Sequence, residues 1–256
     1  MIESMRWRQW LVPALLWVLA LTACTTPNAA PDAVPAATST ATSTATPTAP
    51  RASSAATSTE WAARIPARTR QVVRTISSDR WCTRVHCTVT QAWAKSHGRW
   101  TMVREFRSSI GPQGWGKTRK DDGRTPVGVF RIKITFSTTA TNPGRMPWRR
   151  RLPTSNVTDD NGRLYNTWVE EPWRTDGDRP SMRSGFVVDY NHVRLRAGAG
   201  PAPVQGAGSG IFYHTSRPGR PWEPSEGCTR VGDPRDMRWL LTWLRPGTRP
   251  RVVQNL

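Results

Sequence analysis

Residues 25–60 are nearly all Thr, Ser, Ala and Pro, as in Thr38-Ser39-Thr40-Ala41-Thr42-Ser43-Thr44. Such a stretch buries too little apolar surface to offset the entropy of ordering it. It takes no part in a core and reads, over 24–60, as a flexible tether. Whatever this chain folds into must be built from residues 61–256, enough for one domain with a real core.

The residues before the tether read as an address. Arg6 and Arg8 give a positive start, residues 11–21 form an apolar run broken by Pro13, and Leu21-Thr22-Ala23-Cys24 follows. This order is that of an export signal over 1–23. The run is about a dozen residues, well short of the roughly 20 that span a bilayer as a helix. Leu-Thr-Ala-Cys also resembles a bacterial lipobox. The resemblance implies cleavage before Cys24 and lipidation of its thiol, giving an extracytoplasmic protein anchored in the cell membrane by its lipid. Secretion to the cell wall is the alternative.

Compartment then decides how the charge is read. The chain has 37 Lys and Arg against 18 Asp and Glu, a net charge of +19. The basic residues are spread along 61–256 rather than gathered in a tail, and no nucleic-acid motif accompanies them. For an exported chain, the anionic cell envelope is the expected partner and nucleic acid is not.

The four cysteines sort in the same way. Cys24 goes to the lipid. Cys82 and Cys87 lie five apart, and outside the cytoplasm a local disulfide is their expected fate. A metal site with His86 is the rival reading, but no second ligand pair with zinc-like spacing exists, and no metal is expected. Cys228 is left over, a candidate reactive thiol.

Within 61–256, short β-rich runs alternate with turn signals. Strands are predicted at 72–76, 127–134, 185–190, 210–214 and 251–253, with a hairpin of 87–90 and 100–103 about Ser96-His97-Gly98. One helix is clear: Asp233 caps it, Pro234 opens it, Met237, Leu240, Leu241 and Leu244 form its apolar face, and Pro246-Gly247 ends it. The fold class is mainly β with a helix near the C-terminus. Residues 137–184 lack periodicity and carry Trp148, Trp168 and Trp173. They read as a long loop insertion lining or covering a groove.

Chemistry concentrates in Ile211-Phe212-Tyr213-His214 and, beyond a turn-rich linker, Ser225-Glu226-Gly227-Cys228-Thr229-Arg230. A free thiol near pKa 8.5 is only slightly ionised at neutral pH, so a cysteine nucleophile needs a base. His214, at the end of a buried strand, is placed to be one. His192 is the rival. Gly227 allows close backbone approach before Cys228, suited to amide donors aimed at an oxyanion.

This segment resembles the catalytic signature of the bacterial L,D-transpeptidase catalytic-domain family: a strand histidine, a linker of about a dozen residues, then Ser/Thr-His-Gly-Cys with Asn or Arg two residues later. A second block, Asp121-Asp122-Gly123-Arg124-Thr125-Pro126-Val127-Gly128-Val129-Phe130, resembles the family's Gly-Asp-Gly-Lys-Thr-Pro-x-Gly-x-Phe turn and strand. The resemblance spans about residues 70–255, with Glu226 standing where the family has its second histidine. It implies a β-sandwich-like fold, peptidoglycan stem peptides as substrate, and no cofactor. By this resemblance Cys228 is nucleophile and His214 base, with Ser225, Glu226, Gly227, Thr229 and Arg230 as oxyanion or substrate-binding residues. The thioester would pass to an amine, making a cross-link, or to water, making an L,D-carboxypeptidase. A non-catalytic wall-binding lipoprotein is the third reading.

Overall fold

The computed structural model describes residues 60–173 and 179–256. The export signal 1–23, the lipidation site Cys24 and the tether up to residue 59 lie outside the described residues. All described residues belong to one unit, Ser54–Leu256. Its first element is a single helical turn, α1 (Glu60–Ala63), which buries Trp61.

Eleven strands follow among the described residues: β1 (Gln71–Ser77), β2 (Cys87–Ser96), β3 (Arg99–Ser109), β4 (Gly128–Ser137), β5 (Trp148–Arg150), β6 (Ser155–Val157), β7 (Trp168–Glu170), β8 (Ser184–Val188), β9 (Phe212–Thr215), β10 (Thr229–Val231) and β11 (Arg251–Gln254). They pair in the order β11-β1-β2-β3-β10-β9-β8-β4-β5. Because β11 also pairs with β4, the sheet closes on itself. The mainly β class is therefore as predicted, in the form of a closed barrel. Closure satisfies the strand edges that an open sheet would expose.

Strands β2 and β3 form the predicted hairpin. His97 and Gly98 both have positive φ, 48° and 78°, the conformation that matches a two-residue turn to strand twist.

Helix α2 (Pro234–Trp243) is also as predicted. The Asp233 side chain accepts the Arg235 N–H at 2.8 Å, and Met237, Leu240 and Leu241 are buried. With Leu244 they pack on Val73, Phe186, Val188, Tyr213, Val231 and Val252. Side chains alternate along a strand, so these strand residues define the barrel's interior face. Further along the same face the interior turns polar. Thr75, Thr90, Ser108, Thr229 and Gln254 are all fully buried there. Thr75 bonds Thr90 at 2.8 Å and the Tyr213 hydroxyl, Thr90 donates to Ser108 at 2.9 Å, and Gln254 donates to Thr229 at 2.9 Å.

The 137–184 insertion is more ordered than a loop. Strand β5 extends β4 in parallel, and β6 and β7 make a separate antiparallel pair. Val157, Trp168 and Met182 pack with Phe136, Val187 and Phe212 on the barrel's outer face. Among the described residues no helix is long and apolar enough to cross a membrane.

Candidate active site

Strand register decides which side chains meet. β9 and β10 run parallel, with Tyr213 opposite Thr229 and His214 opposite Arg230. Tyr213 and Thr229 point into the barrel. His214 and Arg230, one residue on, and Cys228, one residue back, point outward. There the insertion roofs a cleft of about 300 Å³. Cys228, His214, Ser225, Glu226 and Arg230 line it from the barrel side, and Arg151, Asn156, Val157, Ser181 and Met182 from the insertion.

Cys228 is half-buried. Its Sγ accepts the Phe212 N–H at 3.4 Å, and the thiol donates to the Gly210 carbonyl at 3.4 Å. Burial pushes the thiol up to about 11, against the Phe212 N–H and the Arg230 charge, which favour the thiolate. His214 is 4% exposed. Its Nδ1 faces two carbonyls, Thr215 at 2.8 Å and Ser181 at 3.0 Å. A carbonyl only accepts, so Nδ1 carries the proton and Nε2 presents a lone pair. Burial, then the Arg230 charge, push His214 down to about 4. At neutral pH the site therefore rests as neutral thiol and neutral imidazole.

Ser225 ties the turn that delivers Cys228. Its hydroxyl accepts the Gly227 N–H at 3.0 Å and donates to the Cys228 carbonyl at 2.5 Å, while its own N–H reaches the Ile110 carbonyl at 3.0 Å. Gly227 has φ of 134°, and a β-carbon there would stand 2.7 Å from the Arg124 carbonyl oxygen. Both facts require glycine. The Gly227 amide, expected to face an oxyanion, is thus already engaged. Arg230 is 8% exposed and donates to the carbonyls of Pro224 at 2.8 Å and Glu223 at 3.2 Å. Glu226 is exposed at the cleft. Thr229, grouped by sequence with the substrate-binding residues, is turned inward by strand alternation and meets Gln254. The rival base His192 sits exposed in a turn with φ of 51° and does not line the cleft.

Cys82 and Cys87 are joined by a disulfide. With His86 they bring potential ligand atoms within 4.8 Å of one another, but the disulfide engages both sulfurs.

Lys117 and Asp122 escaped the sequence reading as site residues. Their side chains, 3% and 6% exposed, form an ion pair at 2.8 Å, and Lys117 lines the cleft. Burial alone would raise the Asp122 carboxyl. The hydrogen bonds from Lys117 and from the Thr118, Arg119 and Arg124 N–H groups outweigh it and hold the group well below the usual carboxylate range. Asp122 lies in the Asp-Gly-Arg-Thr-Pro block, but nothing in sequence spacing shows that it turns back on Lys117.

A closed, mainly β domain with a cysteine and a tautomer-fixed histidine lining one outer cleft is the class that fold and site define. The family follows from the sequence match: residues 86–253 match the L,D-transpeptidase catalytic domain, YkuD, and the chain belongs to that family. Among solved structures it is similar to Bd1075 of Bdellovibrio bacteriovorus, at 15% identity over 72% of this chain and 47% of that one, with a TM-score of 0.38. It is also similar to the helical cell shape determining protein Pgp2 of Campylobacter jejuni, at 13% identity over 72% and 47%, with a TM-score of 0.38. The chain spans about half the length of those two proteins. No curated protein matches the sequence.

Proposed function

We propose that this protein is an extracytoplasmic peptidoglycan L,D-transpeptidase, held to the membrane through a lipid on Cys24, with Cys228 as nucleophile and His214 as base. The observation that carries this reading is the His214 tautomer. Two carbonyls fix the proton on Nδ1, so Nε2 is free to accept one in the cleft that Cys228 lines.

Because both groups rest neutral, the thiol proton moves to Nε2 as Sγ adds to the carbonyl carbon of the third residue of a donor tetrapeptide stem. Collapse of the adduct breaks the bond to the terminal D-alanine, whose nitrogen takes the proton from Nε2. An acceptor amine then attacks the thioester, gives its proton to Nε2, and the thiol is restored. Arg230 and Glu226, which face the cleft, bind or orient the stem, and the basic surface holds the enzyme against the anionic wall.

The test uses the full chain and its Cys228→Ala variant with a purified disaccharide-tetrapeptide, following intact protein and product masses. The expected result is an adduct on the native protein alone, loss of D-alanine, and a cross-linked dimer. Tripeptide without dimer would reassign the protein as an L,D-carboxypeptidase. No adduct and no turnover in a folded protein would leave a wall-binding module. His214→Ala should abolish the adduct and His192→Ala should not.

A further inference from the structure

The Gly227 amide is held by Ser225, yet an oxyanion formed at Cys228 needs donors. The structure has one beside it. The Lys117 Nζ lies 3.4 Å from where a β-carbon of residue 227 would stand, and its Cε lies 2.5 Å from the corresponding point at Gly208. The lysine side chain thus passes between two glycines of positive φ, 101° and 134°, to reach the cleft wall next to the nucleophile's peptide. A β-carbon at 208 would force the lysine side chain to shift.

An ammonium has three donor hydrogens. One goes to Asp122 Oδ1 at 2.8 Å, and no other acceptor engages Nζ among the described residues. Asp122 fixes the amine, being itself held by three backbone N–H groups. The Lys117 charge also acts on the Cys228 thiol in the sense that favours negative charge. A buried, fixed cation, already positioned before reaction, is what stabilises charge as it develops.

We propose that Lys117 is a catalytic residue whose ammonium donates to the oxyanion formed when Cys228 adds to the substrate carbonyl, in the place the Gly227 amide does not fill. The proposal rests on the reading of Cys228 as an acyl-accepting nucleophile. In that step the Sγ–C bond forms, the carbonyl π pair moves to oxygen, and the thiol proton goes to His214 Nε2. Lys117 loses no proton. On collapse the pair returns, the C–N bond breaks, and the leaving nitrogen takes the proton from His214.

Two reactions of Cys228 separate this role from a packing role. Acylation by the disaccharide-tetrapeptide passes through an oxyanion, and alkylation by iodoacetamide does not. Both are followed on the full chain and on Lys117→Met, the first by adduct mass in a single turnover, the second on the peptide containing Cys228. Acylation should fall by roughly 10²–10³, the usual effect of removing one oxyanion donor. Alkylation should slow by no more than about tenfold, the effect of losing one nearby positive charge on a thiol. Lys117→Gln keeps N–H donors without the charge and should fall between. If Lys117→Met does not fold, Lys117→Gln carries the comparison, with acylation down at least about tenfold and alkylation retained. Unchanged acylation, or both reactions falling in parallel, overturns the proposal. Absence of an adduct on the wild-type chain overturns the acyl-transfer reading itself.

Discussion

Whether the resting site is a neutral pair or a thiolate–imidazolium pair can be read from how Cys228 alkylates as pH changes. Burial sets the thiol at about 11 and His214 at about 4. The sign is the same for both groups: burial disfavours the charged form, so the thiol keeps its proton and the imidazole refuses one. At pH 7 the thiolate fraction is then on the order of 10⁻⁴, against a few per cent for an ordinary cysteine near 8.5. Iodoacetamide should modify Cys228 at least about a hundredfold more slowly than a free exposed thiol, and the rate should rise about tenfold per pH unit between pH 6 and 9. His214→Gln should leave that profile almost unchanged, because a neutral histidine lends the thiolate no charge. The rates are read on the Cys228 peptide by mass. A rate that is fast and flat from pH 5 to 9, collapsing in His214→Gln, would refute the neutral pair and the mechanism built on it.

The acid limb of kcat/KM should follow the free enzyme's base. With His214 lowered to about 4, the base stays ready as pH falls past the ordinary imidazole range, and activity should persist at pH 5; a limb centred near pH 6.5 would contradict it. Ser225→Ala removes the acceptor of the Gly227 N–H and the donor to the Cys228 carbonyl. The buried Gly227 N–H and the half-buried Cys228 carbonyl lose their partner, which should cost about 2–4 kcal/mol, seen as a lower urea midpoint at unchanged slope. A loss below about 0.5 kcal/mol, the size of an ordinary surface substitution, would mean that the tie does not hold the turn.

What could be read from sequence was whatever is encoded locally. The α2 cap, its apolar face and its Pro-Gly stop lie within a few residues of one another, and so do His97 and Gly98 in the hairpin turn. Cys228 stood out by elimination among the cysteines. Other features depend on partners distant in the chain. Strand β10 is three residues long and exists because β3 and β9 flank it, so no periodicity marks it. Trp148–Arg150 shows no strand pattern, yet it adds to β4, and the 155–157 and 168–170 segments pair with each other as strands. Thr229 and Cys228 are neighbours with opposite fates, decided by which face β10 turns to the cleft. The pKa shifts of His214 and Cys228 arise from burial that only the assembled insertion and barrel provide. Lys117 reads as one more basic residue in a basic chain until Gly208 and Gly227 are brought together around it.

The barrel's seam has a consequence for how the domain forms. Strand β11 fills the gap between β1 and β4, pairing Val72 with Arg251 on one side and Arg131 with Arg251 on the other. A chain that emerges N-terminus first can zip β1, β2 and β3 into a meander early, but the facing edges of β1 and β4 stay open until Arg251–Gln254 arrives. Contacts of such sequence separation make folding slow. Until then the unpaired edges are templates for another chain. The domain thus acquires its shape all at once and late, and its period of greatest exposure to aggregation falls just before β11 docks.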